Sequence, residues 1–178
     1  MTQPTQSENR LIQPLRFALR REGTWAEGRR RAFEFANENQ YATAPICTAI
    51  QWYEEIFVDP SATQQGQPFA PNTSVRLHAE GYLKGLKDVL NMILRGISIN
   101  MIQEEEKTAE GRRDAFDFTL QIQGDELVLK AEIARHEAAS ANASNAHERA
   151  RAAGYLAGLN DALKIIQGAQ TNGAAPET

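Results

Sequence analysis

The chain has 178 residues, 42% apolar and 24% charged, with a net charge of −4 and one cysteine, Cys47. This is enough chain to bury a core, and it is too apolar to stay disordered. The composition excludes an internal disulfide and any zinc site built on paired thiolates, and no apolar run approaches the roughly 18 residues of a membrane span.

In chain order, MTQPTQSENR lacks the basic start and apolar run of a secretory signal. Residues 1–21 are expected to form a polar N-terminal arm, and the protein is expected to be cytoplasmic or incorporated in a virion assembled there. Thr24 with Glu27 fits a capping box, so the first predicted helix opens just before WAEGRRRAFEF at 25–35. A middle helix is predicted from about Pro45 to Phe57, with Cys47 as a buried, inert thiol. The Pro-, Gly- and Gln-rich VDPSATQQGQPFAPNTS that follows reads as a loop. Within it Pro68, Phe69 and Pro71 are candidate partner contacts. From Val75, Ala79, Tyr82, Leu86, Val89 and Ile93 keep the helical period.

The second half repeats the first. TAEGRRDAFDF at 108–118 matches the first motif at eight of eleven positions, and AGYLAGLNDALKIIQ at 153–167 matches EGYLKGLKDVLNMIL at 80–94 at eight of fifteen. The chain therefore reads as a tandem duplication, with repeats at 22–98 and 99–168 and a polar C-terminal tail at 169–178. One stretch argues otherwise: FDFTLQIQ at 116–123 alternates apolar and polar, so a β-hairpin over about 116–131 is the alternative. FEFANENQ, its counterpart, breaks that alternation, which favours a helix stopped by Gly124 and a further helix from Asp125 to Ala141. The expected fold is all-α, three helices per unit, closing into a pseudo-two-fold six-helix bundle.

Gly28, Gly81, Gly85, Gly111, Gly154 and Gly158 fall inside these predicted helices, where each costs about 0.5–1 kcal/mol relative to alanine. Close backbone approach between helices is the compensation expected, so these six are assigned to a helix-crossing core. They follow no strand and match no dinucleotide or phosphate-loop fingerprint.

Chemistry-bearing patterns are few. His78, His136 and His147 form no metal-binding helix motif and are expected on solvated surface. Neither catalytic, cofactor-binding nor metal-ligating residues are assigned. Six arginines surround Trp25, yet three consecutive arginines fan over about 200° of a helix, and the chain is acidic overall, so nucleic acid is disfavoured. The pairs Arg29-Arg30 and Arg112-Arg113 recur in both copies and are candidates for an anionic small ligand or an acidic partner segment.

Charge is unevenly spread as well: residues 1–35 hold seven arginines against four glutamates, and residues 101–148 hold eleven acids against five bases. Such polarity can orient subunits. The expected function is accordingly a non-enzymatic structural or assembly protein acting through protein–protein contacts or self-association. Its polar ends would suit a virus or phage particle, where neighbours hold such tails. The alternative is a small binding module that captures phosphate or a nucleotide, or inhibits a host protein.

Overall fold

The structure, a computed structural model, describes residues 6–58, 74–140 and 143–173. They form six helices: α1 (Gln6–Glu38), α2 (Thr43–Val58), α3 (Ser74–Leu94), α4 (Ile99–Gln121), α5 (Glu126–Ser140) and α6 (Ala146–Gly173). No strand occurs among the described residues.

The hairpin alternative at 116–131 does not form. In α4 the buried residues Ala115, Phe116 and Thr119 share one face at helical spacing, and burial of that face overrides the local alternation. Gly124, at φ 73°, stops the helix as expected: its N–H donates to the Thr119 carbonyl at 3.0 Å. At the corresponding end of α1 the same bond is made by Tyr41, whose N–H donates to Ala36 at 2.7 Å from a positive φ of 57°. The start of the first helix differs from expectation. α1 runs unbroken from Gln6 through Thr24, so residues expected as a polar arm form its N-terminal part, and Leu19 there is fully buried.

α1 packs along α3 and α4 packs along α6, in each case with glycines at the contact. A Cβ on Gly28 would overlap the His78 carbonyl oxygen, and one on Gly81 would overlap that of Trp25. In the other pair, a Cβ on Gly111 would overlap the Arg151 carbonyl oxygen, and one on Gly154 that of Thr108. One turn on, a Cβ on Gly85 would stand 2.6 Å from Ala32 Cβ, and one on Gly158 would stand 2.7 Å from Ala115 Cβ. Backbone meets backbone at these places because no side chain separates them.

The two pairs cross where α1 meets α4, and each lends residues to the other's core. Ile102 and Ala109 of α4 join Phe33, Ile46, Leu86 and Val89. Leu19 and Ala26 of α1 join Phe116, Leu129, Leu159 and Ile166. Phe33 and Phe116 are both fully buried. α2 and α5 lie outside this four-helix centre, α2 on α3 and α5 on α6, through Ile46 and Ile50 on one and Leu129 and Ile133 on the other.

Candidate functional site

The four arginines singled out by the repeat lie on or beside the α1–α4 crossing, and each already has carboxylate partners. Arg29 reaches Asp88 at 3.4 Å and Glu105 at 2.7 Å, and its guanidinium stands 5.2 Å over the Phe33 ring. Arg112 reaches Asp161 at 2.8 Å and lies 6.0 Å over Phe116. Arg30 and Arg113 meet on the same carboxylate: Glu27 lies 2.9 Å from Arg30 Nε and 3.3 Å from Arg113 Nε. Arg113 also reaches Asp117 at 2.8 Å. Carboxylates of the chain itself thus face all four arginines, Glu27 facing Arg30 and Arg113, Asp88 and Glu105 facing Arg29, and Asp161 facing Arg112.

Near this layer, burial lowers the His78 pKa, Glu27 acts to raise it, and Arg31 and Arg30 lower it further; the net result is below the ordinary value. His78 is half-buried, and His136 stacks on Tyr155 with ring centres 4.5 Å apart. Only His147 has the exposed position expected of all three. Cys47 is also exposed, contrary to expectation. The buried positions of α2 are Ile46 and Ile50, and Cys47 stands about 100° round the helix from Ile46. Pro68, Phe69 and Pro71 lie outside the described residues. Among those described, no group of three or more His, Cys, Asp or Glu is placed to hold a metal, and no helix is long and apolar enough to cross a membrane.

A different surface carries an open site. Among the described residues, α1, α2 and α3 frame a shallow, open groove of about 660 Å³ lined by Phe35, Ala44, Pro45, Thr48, Ala49, Trp52, Tyr53 and Tyr82, with no charged side chain among them. Trp52 packs edge-on against Tyr53 at 4.8 Å, Tyr53 tilts on Tyr82 at 4.9 Å, and Phe35 meets Tyr82 at 6.3 Å. Trp52 nevertheless leaves 56% of its surface in water. Burial, the neighbouring Tyr53 and the charge of Glu38 push the Tyr82 hydroxyl up to about 12. The groove therefore stays uncharged across the physiological range.

The corresponding place between α4, α5 and α6 is built differently. In the sequence match Phe118 and Tyr155 pair with Phe35 and Tyr82, while Glu132, Arg135 and His136 fall opposite Ala49, Trp52 and Tyr53. Glu132 accepts from Arg135 at 2.7 Å and from the Tyr155 hydroxyl at 3.2 Å, with His136 Nε2 also 3.2 Å away. A polar cluster occupies what is an open aromatic groove in the first half. Sequence reasoning passed over Trp52-Tyr53 because it followed matches between the halves, and here the mismatch carries the information.

Compared with protein-family models, with the curated proteins and with the solved structures, the chain matches none.

Proposed function

We propose that this chain is a non-enzymatic assembly module, a tandem duplication of a three-helix unit about a pseudo-two-fold axis, which works by protein–protein contact through its aromatic groove. The observation that carries this reading is the difference between the halves: the helix crossings are paralleled contact for contact, while an open apolar groove with a half-exposed tryptophan is kept on one side only. Tryptophan and tyrosine are among the side chains that most often anchor protein interfaces. The duplication is supported by the paired glycine crossings and by the matched pairs Arg29–Asp88 and Arg112–Asp161.

The test is site-specific photo-crosslinking. A photoreactive phenylalanine analogue replaces Trp52, and irradiation in the source extract is expected to give discrete adducts, with the chain itself or with another protein. A control carrying the analogue at exposed Thr171 should give none. Equal yields from the two positions would defeat the reading.

A further inference from the structure

The surface on α1 opposite in character to the groove lies at Phe17. Phe17 is 55% exposed, and Arg16, Arg20 and Arg21 around it are exposed as well. At 100° per residue Phe17 and Arg21 fall on the outward face of α1, opposite Leu15 and Leu19, which turn inward to the second core. Arg16 and Arg20 stand at the edge of that face, Arg20 beside the cleft lined by Glu27 and Asp117. None of the three arginines forms an ion pair among the described residues. The result is an aromatic knob ringed by unpaired positive charge.

Beside the groove stand two exposed carboxylates, those of Glu38 and Glu55. Glu38 stands close enough to Tyr82 to raise its pKa. Glu55, on the same side of α2 as Thr48 and Trp52, is exposed and, among the described residues, bonded only to Gln51. Lys87 is engaged by Glu54 of α2. An apolar groove with acidic flanks thus matches an aromatic knob with basic flanks in both shape class and charge.

The two cannot meet within one molecule. Phe17 and Phe35 belong to the same helix, 18 residues and so about 27 Å apart. We infer that the groove of one copy takes the Phe17 face of α1 from a second copy of this chain, with Arg20 and Arg21 set against Glu38 and Glu55. This inference rests on the groove being a contact surface. Because knob and groove are separate patches at different ends of α1, the contact is head-to-tail: a pair keeps one free knob on one copy and one free groove on the other, and association continues into a ring or an open chain.

The deciding experiment is sedimentation equilibrium of the full chain over rising concentration, with Phe17→Glu and Trp52→Glu. Both positions are exposed, so thermal melting of the variants should follow the native protein. The native chain is expected to pass beyond twice its 19.8 kDa mass, and each variant alone to stay monomeric. An equal mixture of the two should stop at a dimer, one intact knob in one intact groove. A charge exchange supplies an independent check: Arg20→Glu with Arg21→Glu, and Glu38→Lys with Glu55→Lys, should each lose association and recover it when mixed. A native chain that remains monomeric throughout, or variants that associate as the native does, would overturn the inference. The groove reading would outlive that failure if crosslinks from position 52 fall on a different protein, and would fall with it if position 52 gives no adduct.

Discussion

Glu27 of α1 reaches across the helix crossing to Arg113 of α4, 3.3 Å away, while Arg30 and Arg31 of its own helix hold the same carboxylate at 2.9 and 3.0 Å. Burial pushes this carboxyl up, but hydrogen bonds from Arg30 and Arg31 and the charges of Arg30 and Arg113 outweigh it and hold its pKa below the ordinary 4.5. A depressed folded-state pKa gives stability that is fully present above the unfolded value and is lost as pH falls through the folded one. The native protein should therefore exceed Glu27→Gln in stability at pH 7, and the gap should close as pH drops below about 4.5. Glu106, raised by burial, acts in the opposite sense in both proteins and largely cancels in the comparison, whereas Asp117, also raised by burial, is released in the variant from the added push of the Glu27 charge. Urea denaturation of the two proteins across that range measures the gap, and a gap independent of pH would remove Glu27 from the crossing's energetics.

Glycine replacements should rank by what the new methyl meets. At Gly28 and Gly111 it meets a backbone carbonyl of the partner helix, which cannot turn aside. Gly28→Ala and Gly111→Ala should each cost about 3 kcal/mol or more, at or above the upper end of ordinary overpacking. That corresponds to a melting temperature lower by about 6–12 °C. Gly168 lies inside α6 with nothing within 4 Å of the added atom, so Gly168→Ala should raise stability by about 0.5–1 kcal/mol. Calorimetry that finds all three alike would contradict the close-contact account.

The two matched arginine–aspartate pairs should not respond equally. Arg29 keeps Glu105 at 2.7 Å when Asp88 is lost, whereas Asp161 is the only ion-pair partner of Arg112 among the described residues, and the buried Arg112 Nε already has no hydrogen-bond partner. Asp161→Asn should cost roughly 1–2 kcal/mol, as removing a hydrogen bond to a charged group does, and Asp88→Asn under about half of that. Chemical denaturation of both variants compares them directly, and a larger loss at Asp88 would reverse the argument.

Cys47 should behave as a surface thiol. In the native protein it is expected to react with a thiol-specific reagent at the rate of the unfolded chain within a few-fold, since it is exposed among the described residues. Cys47→Ser should change stability by less than about 0.5 kcal/mol. Protection that disappears only on denaturation would place the thiol inside after all.

Much of the architecture was legible because it depends on local pattern. Helical period marked α3 and α6, Gly124 marked the end of α4, and six glycines at small-residue spacing pointed to helices in backbone contact. The start of α1 was misread because the Thr24 and Glu27 pairing satisfies a capping rule locally, while burial of Leu19 against the second core extends the helix past it. Burial is a property of what lies opposite, and sequence does not contain the opposite surface. The same reason hid three other features: Cys47 turned outward, Arg30 and Arg113 shared Glu27 from separate helices, and Phe35, Trp52, Tyr53 and Tyr82 came together from three. By itself the sequence determined which faces are apolar and where small residues must sit, since both follow from the chemistry of single residues and their spacing. Only the tertiary structure decided which charges neutralise one another and which apolar face stays open, because those depend on distances between helices that the chain separates by tens of residues.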